Sequence, residues 1–397
     1  MLRSLFSGIS GLRSHQTMMD VTGNNIANVN TAGYKTSQTV FQDTLSQMLK
    51  AAGAPQGVNG GTNPAQVGLG SRLGSINMNF SQGAAQTTGR NTDLMVQGDG
   101  FFVVRNGGED LYTRAGAFSF DSDGRLVTQD GAVVQGWTAV RGVVNTNATP
   151  GDLRLPIGTL LPPTATAAST VGGNLPGDAA VGTVVTSSIT TYDPQGAQHP
   201  VSYRFSKTAA DTWSLTMSEN GTTLGTATLT FDAGGKLTSA PTVTYPASYG
   251  GTVTVDLTGV TQYAGSSTVA VLSQDGSAMG SLQAFTISPD GTLVGVFSNG
   301  LKQTLGQVAL ATFNNPPGLE RVGGSDYRTT VNSGTAQLGV AGSGGRGTLL
   351  AGALEMSNVD LAQEFTNLIV AQRGFQANSR VITTSDQLLQ DLVNLKR

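Results

Sequence analysis

The chain has 397 residues, more than a single hydrophobic core usually serves, so we expect at least two domains. Charged residues make up only 12% of the sequence and the net charge is -3, which makes nucleic acid and anionic membrane surfaces unexpected partners. Cysteine is absent, which excludes disulfides, thiolate metal sites and thiol nucleophiles.

The first 20 residues do not have the pattern of a secretory signal. Arg3 and Arg13 interrupt their apolar positions, and nowhere in the chain do 18 apolar residues follow one another. We therefore expect no membrane insertion. If the protein is exported, its route must neither need nor cleave such a signal.

Apolar residues near the start recur at alternating spacings of three and four, which is the pattern of a coiled-coil seam. The members of this seam are Leu2, Leu5, Ile9, Leu12 and Met19. The pattern predicts a helix from residue 2 to about residue 28. Gly8, Gly11 and Gly23 each weaken an isolated helix by about 1 kcal/mol, so this segment should depend on a packing partner.

A second seam lies at the other end of the chain. Its heptad positions are Leu361, Leu368, Phe375, Ile382 and Leu389, flanked by Phe365 and Val393. The pattern predicts a long helix of about 55 Å at about 1.5 Å per residue. Two seams in one chain predict that the terminal helices pair with each other; the alternative is two separate surface helices packed on a core.

Between the seams the pattern changes to alternation with period two, interrupted by glycine turns. Asp123-Gly124, Asp290-Gly291 and Asn299-Gly300 each predict a two-residue hairpin turn that uses positive φ. The Pro- and Thr-rich stretch "LPIGTLLPPTATAAST" is interpreted as a linker, and strand-like sequence resumes in "SSITTYDPQGAQHPVSYRF" and "GTTLGTATLTF".

These patterns predict a mainly β protein with long terminal α-helices. The N- and C-terminal coiled-coil helices flank a β-domain built from both halves of the chain, into which a second β-domain is inserted. The predicted parts are an N-terminal coiled-coil helix (1–30), a connector (31–71), the first part of the β-domain (72–146), the inserted outer β-domain (147–280), the second part of the β-domain (281–340), a Gly-rich connector (341–356) and a C-terminal coiled-coil helix (357–397).

Catalytic, cofactor and metal sites have weak support. His15 lies on the predicted first helix and His199 in a predicted turn, so no histidine cluster is evident, and no G-x-S-x-G motif occurs.

The segment "GSGGRG" at 342–347 matches G-x-G-x-x-G without the strand and helix that a dinucleotide site needs. Residues 121–130 resemble a calcium loop without its bidentate glutamate, and a hairpin turn explains them better. We predict no enzyme, cofactor or metal.

The stretch "GNNIANVNTAGYK" (23–35) resembles the hallmark of flagellar rod and hook proteins. In physical terms, the side chains of Asn24, Asn25 and Asn28 can bond exposed backbone groups where the helix ends, and Gly33 permits a left-handed turn. The stretch "SNVDLAQEFTNLIVAQRGFQANSRVITTSDQLLQDLVNL" (357–395) is similar to the C-terminal helix of the same family.

The β-region carries the same resemblance. "GRNTDLMVQGDGFFVV" (89–104) and "YTRAGAFSFDSDGRLV" (112–127) resemble segments common to rod and hook subunits. "TTYDPQGAQHPVSYRFSKTAADTWSL" (190–215), "SNGLKQTLGQVALATFNNPPGLERVGG" (298–324) and the inserted domain favour the hook protein family.

The resemblance implies a non-enzymatic, self-assembling subunit of the flagellar hook, a flexible helical tube that acts as a universal joint and encloses an export channel. It implies a homopolymer that meets hook cap, distal rod and hook-filament junction proteins. It also implies export by the flagellar type III apparatus without a cleaved signal peptide, and an extracellular location at the basal body and hook. The alternatives are a flagellar distal rod protein or a secreted β-rich adhesin. The residues of both seams, with Asn24, Asn25, Asn28 and Gly33, are the predicted self-assembly residues.

Overall fold

The fold is mainly β with a long helix at each end, which confirms the predicted fold class. The computed structural model describes residues 2–55, 57, 60–140, 142–155 and 160–394. Helix α1 covers Leu2–Ala27 and helix α2 covers Leu361–Asn394. A single 3-10 turn among the described residues covers Pro316–Gly318.

Short strands occupy most of the chain between the helices. The strands of the first part are β1 Ser37–Asp43, β2 Ser46–Lys50, β3 Ala65–Gly68, β4 Ser71–Met78, β5 Ala85–Thr87, β6 Leu94–Gln97, β7 Phe101–Asn106, β8 Glu109–Thr113, β9 Ser119–Phe120, β10 Leu126–Val127, β11 Val133–Val140, β12 Val143–Val144 and β13 Gly151–Asp152. They continue with β14 Leu160–Leu161, β15 Ala168–Asn174, β16 Val184–Tyr192, β17 Gln198–Ala209, β18 Thr212–Glu219, β19 Thr222–Thr230, β20 Thr242–Pro246, β21 Thr252–Thr261, β22 Ala270–Gln274, β23 Gly280–Ile287 and β24 Thr292–Phe297. The last are β25 Lys302–Val308, β26 Leu310–Thr312, β27 Glu320–Gly323, β28 Asp326–Arg328, β29 Gln337–Gly339, β30 Thr348–Ala351 and β31 Ala353–Glu355.

The chain forms two compact units. The first comprises Met1–Leu155, Thr286–Val294 and Thr304–Arg397, and so contains both helices and a β-domain drawn from both halves of the chain. In its sheet β11, β7, β8, β28 and β27 are neighbours in that order, and each pair is antiparallel. The core is rich in aromatic rings that meet edge to face, with Phe101 in contact with both Phe313 and Tyr327.

The second unit, Pro156–Phe285 with Gly295–Gln303, is the inserted β-domain. It begins after the predicted residue 147, because β13 pairs with β11 in the first unit, and it extends past the predicted residue 280. One sheet has the antiparallel order β16, β17, β18, β19; the other has the order β20, β21, β15, β22. Alternate residues of β18 are buried, which is the period expected of a half-buried strand. Residues 156–159 of the predicted linker lie outside the described residues.

The predicted connector 31–71 instead contains strands. β1 pairs with β4 and β2 with β3, so that these four strands form a long antiparallel ribbon, which we call the hairpin arm. All residues of β2 and β3 are exposed. Sequence pattern did not reveal β2 and β3, because a strand without a buried face shows no apolar alternation.

The three predicted hairpin turns form, with a different backbone geometry. Gly124, Gly291 and Gly300 have φ of 74°, 82° and 79°, whereas the residue before each glycine does not take positive φ. The side chains of Asp290 and Asn299 instead accept the backbone N–H two residues further on. Each turn therefore needs only one left-handed residue, which glycine supplies.

Candidate assembly surface

The motif at residues 23–35 ends α1 and leads into the hairpin arm. Asn28 Nδ2 donates to the Asn24 carbonyl oxygen at 2.9 Å, which satisfies a backbone group at the helix end as the sequence predicts. Asn25 is buried, and its side chain bonds to Ser37, which lies later in the chain. Its Nδ2 donates to the Ser37 carbonyl oxygen at 2.8 Å, and its Oδ1 accepts the Ser37 N–H at 3.1 Å. The amide of Asn25 thus joins α1 to the first strand of the arm.

Gly33 confirms the predicted left-handed turn, with φ of 71°. Its N–H donates to the Glu355 carbonyl oxygen at 2.8 Å. A Cβ at this position would lie 2.5 Å from the backbone nitrogen of Ala115, closer than a side-chain carbon can sit. Glycine is therefore required here both for its backbone conformation and for the close approach of two chain segments.

Three charged side chains meet beneath this turn. Glu355 Oε1 accepts hydrogen bonds from Lys35 Nζ at 2.6 Å and from the Gly83 N–H at 2.9 Å, and Arg114 Nη1 lies 3.4 Å from Glu355 Oε2. The side chains of Lys35 and Glu355 have 0% exposure. Burial lowers the pKa of Lys35 and of Arg114, and the Glu355 carboxylate opposes both shifts. We call Lys35, Arg114 and Glu355 the buried ion cluster.

Two further side chains join the same segments. The Arg321 guanidinium lies 4.7 Å from the centre of the Tyr34 ring, and its Nη2 donates to the Lys35 carbonyl oxygen at 2.7 Å. Asn358 Oδ1 accepts the Thr36 N–H at 2.8 Å, and its Nδ2 donates to the Asn79 carbonyl oxygen at 2.8 Å. The end of α1, the arm, the β-domain and the approach to α2 are thereby held at one junction.

Helix α2 starts later than the predicted residue 357. Asp360 Oδ1 accepts the N–H groups of Ala362 and Gln363 at 2.9 Å and 3.2 Å, so Asp360 is the N-cap. The side chain of Asn358, two residues earlier, bonds to Thr36 and Asn79 beside the base of the arm.

The two terminal helices pack against each other and run antiparallel. Gly8 lies against Ile382, Gly11 against Asn378, and His15 against Gly374. A Cβ at Gly8 would be 3.2 Å from Ile382 Cγ1, and one at Gly11 would be 2.8 Å from the Asn378 side chain. Gly8 and Gly11, two of the three glycines that weaken α1 in isolation, therefore allow α2 to approach closely, a role that the sequence interpretation missed. Gly23 has open space around it and does not share this role.

The predicted seam residues flank this contact to different extents. The half-buried members are Leu5, Ile9, Leu12, Met19, Leu368, Phe375, Ile382 and Leu389. Leu361, Phe365 and Val393 are 40%, 50% and 67% exposed. The side chain of Leu2 lies outside the described part of the chain. One chain thus covers only part of the apolar surface of its own helices, and the role of these residues in self-assembly stays a prediction.

The junction contains residues that the sequence prediction did not include, notably Lys35, Arg114, Arg321 and Glu355. Lys35 and Glu355 are 320 positions apart in the sequence. The available signal was chemical: Lys35 is the last residue of the motif at 23–35, in a chain where charged residues are scarce.

The inserted unit holds an ion cluster that sequence reasoning also missed. His199 was expected in a turn but lies in β17, with Nδ1 2.6 Å from Glu219 Oε1 and Nε2 3.5 Å from Asp193 Oδ2.

Within the described ranges, no group of His, Asp and Glu residues has an arrangement that could hold a metal ion. None of the described helices combines the length and the hydropathy that a membrane span requires.

The remaining sequence motifs occupy turns. In the segment 342–347, Arg346 Nε donates to the Val340 carbonyl oxygen at 3.1 Å, and the next element is the strand β30 rather than a helix. In the acidic loop, Asp121 Oδ2 accepts from Arg125 Nε at 2.9 Å. Both segments are explained by their own turn contacts.

Models of flagellar axial protein families match along the chain. The matches are to the flagella basal body rod protein (residues 5–35), the flagellar hook protein FlgE/F/G D1 domain (95–174), the flagellar basal body protein FlaE D2 domain (175–277) and the flagellar basal body rod FlgEFG protein C-terminal region (350–395). The matched segments run from the first helix through both β-domains to the last helix, and they place the chain in the class of flagellar rod and hook proteins.

Relatives that match the whole chain identify the family within this class. The chain is 41% identical to the flagellar hook protein FlgE of Borreliella burgdorferi and 41% identical to that of Treponema pallidum, with 100% of each chain covered. It is 34% identical to the flagellar basal-body rod protein FlgG of Bacillus subtilis, also over 100% of both chains. The chain belongs to the flagellar hook protein family. A solved structure of Helicobacter pylori flagellar hook protein FlgE2 shares the fold, with a TM-score of 0.57 and 15% identity over 68% of this chain and 100% of that one.

Proposed function

We propose that this chain is the structural subunit of a flagellar hook and that its copies assemble into a flexible helical tube around a central export channel, which passes motor torque to the filament. The observation that carries the proposal is the antiparallel pair of terminal helices, which leaves Leu361, Phe365 and Val393 exposed. Apolar helix surface that one chain cannot cover is available to other copies. Contacts between different surfaces of identical subunits give an open helix when their rotation does not close.

The self-assembly residues in this proposal are those of both seams, because their exposed or half-buried apolar side chains offer the area that association needs. Asn24, Asn25, Asn28 and Gly33 act indirectly, since they fix the end of α1 against the arm and the β-domain. The function is structural, and no catalytic role is assigned to any side chain.

The proposed partners follow from membership of the family. They are further copies of the chain, the hook cap, the distal rod and hook-filament junction proteins, and the flagellar type III export apparatus. The proposed location is the hook outside the cell, reached without a cleaved signal peptide. An unfolded chain without cysteine carries no disulfide that would obstruct passage through a narrow channel.

The full-length chain, purified and concentrated or seeded with short polymers, tests the proposal in electron micrographs. We expect tubes from the full chain and monomers in sedimentation from a chain without residues 1–30 and 357–397. A truncated chain that still forms tubes would show that the terminal helices are not the assembly surface.

A further inference from the structure

Helix α1 has a second face that borders a groove. At about 100° per residue, Phe6, Ile9 and Arg13 lie on the side of α1 opposite Gly8 and Gly11, which face α2. The groove between this side and the first residues of β4 in the hairpin arm has a volume of about 400 Å³, and its walls include Phe6, Ile9, Arg13, Thr17, Arg72 and Leu73.

The groove is apolar with a basic rim. Phe6 is 62% exposed and Leu73 is 38% exposed. Arg72 Nη2 donates to Gln42 Oε1 at 3.3 Å, and within the described residues neither Arg72 nor Arg13 has a carboxylate at ion-pair distance. An occupant should therefore bring apolar side chains together with carboxylates.

The last turns of α2 have this composition. Residues 381–394 contain Asp386 and Asp391 and no Lys or Arg. Asp386, Leu389 and Val393 are spaced by three and four and share one helix face. Ile382 lies on the same face of α2 and contacts α1. Further along this face, Val393 is exposed.

We infer that the end of α2 from one copy docks into the groove between α1 and the arm of a second copy. Leu389 and Val393 would cover Phe6 and Leu73, and Asp386, on the same helix face, would meet Arg13 and Arg72. A second copy is the occupant because the chain's own α2 already lies on the opposite face of α1. The inference rests on the proposed polymer and specifies one of its contacts.

Charge reversal in the full-length chain tests the inference. One variant carries Arg13→Glu and Arg72→Glu, the other Asp386→Arg. We expect each variant alone to raise the critical concentration for polymerisation by about tenfold or more, because like charges then face each other. An equimolar mixture of the two, and a chain carrying all three changes, should polymerise close to the wild-type concentration. The matched control reverses the charges of the exposed residues Arg204 and Lys236 in the inserted unit, and it should polymerise normally.

Two results would overturn the docking. One is polymerisation at the wild-type concentration by either single-sided variant. The other is a failure of both the mixture and the threefold variant to recover polymerisation, although circular dichroism shows that each chain is folded. A wild-type chain that forms no polymer under any condition would instead refute the proposed function, so the two failures are distinguishable.

Discussion

Lys35 and Glu355 form a fully buried ion pair, with Nζ and Oε1 2.6 Å apart, although they stand just after the first helix and just before the last. Because Glu355 also faces Arg114 and accepts the Gly83 N–H, one carboxylate compensates two buried cations and a backbone donor. The junction between the terminal helices and the β-domain therefore depends on Glu355 more than on either cation.

The first prediction compares Glu355→Gln with Lys35→Met. Glu355→Gln leaves two buried cations without a counter-charge and should lower the free energy of unfolding of the first unit by about 3–5 kcal/mol. Lys35→Met should lower it less, because Glu355 keeps Arg114 and the Gly83 N–H. Urea denaturation measures both losses. An equal loss for the two variants would contradict the shared role of Glu355.

The second prediction concerns Gly33→Ala. A left-handed backbone costs a non-glycine residue about 1–2 kcal/mol, and here the added Cβ must also displace the backbone at Ala115. Gly107→Ala is the control, since Gly107 has φ of 59° and open space around its Cβ. Thermal unfolding should show a larger loss for Gly33→Ala. Equal losses would mean that the close approach to Ala115 relaxes freely.

The third prediction is that Phe375→Asp abolishes tube formation and leaves the thermal unfolding of the β-domains unchanged. Phe375 is half-buried on α2, and a carboxylate buried there without a partner costs several kcal/mol. Arg373→Asp, on an exposed face of the same helix, should still form tubes. Electron microscopy and calorimetry test this pair. Normal tubes from Phe375→Asp would show that Phe375 does not contribute to assembly.

The fourth prediction concerns the pH dependence of the inserted unit. The hydrogen bond to Glu219 raises the pKa of His199 above its ordinary value of 6.5, so the stability contributed by His199 is fully present below pH 6.5 and declines as the pH rises through the raised pKa. Burial acts against ionisation of Glu219, but hydrogen bonds from Ser248 and His199 lower its pKa below 4.5. The contribution of Glu219 is therefore present above pH 4.5 and lost in stronger acid.

We expect this cluster to stabilise the inserted unit most between pH 4.5 and 6.5. The buried Trp213 reports on this unit by fluorescence in a Trp137→Phe chain, which has no other tryptophan. His199→Gln should remove the decline in melting temperature above pH 6.5. A decline that persists in the His199→Gln chain would assign it to another group.

The fifth prediction concerns the larger part of the inserted unit. The N–H of Thr164 donates to the Ser277 carbonyl oxygen at 3.0 Å and the Ser277 N–H donates back at 2.8 Å, so the chain closes on itself there. Replacing residues 166–275 by a short Gly/Ser turn should preserve folding and polymerisation, because closing a short loop between adjacent ends costs little. The tubes should differ in curvature in electron micrographs. Tubes of wild-type curvature would show that this segment does not set curvature, and loss of assembly by a folded chain would show that polymerisation requires it.

The sequence by itself determined the features that depend on local pattern. The spacing of Leu5, Ile9 and Leu12 marks a helix, alternating residues mark the strands of the inserted unit, and Gly33 marks a left-handed turn. Each of these follows from residues within a few positions of one another, where side-chain period and backbone preference act directly.

The tertiary structure alone decided which distant residues meet. No local pattern connects Lys35 to Glu355, because their pairing depends on the chain folding back over 320 positions and on a burial that makes an unpaired charge costly. The same holds for Gly8 and Gly11, which reduce helix propensity locally but admit α2 once the helices are side by side. Strands β2 and β3 of the arm escaped prediction because pairing between backbones, rather than burial of a face, holds them together.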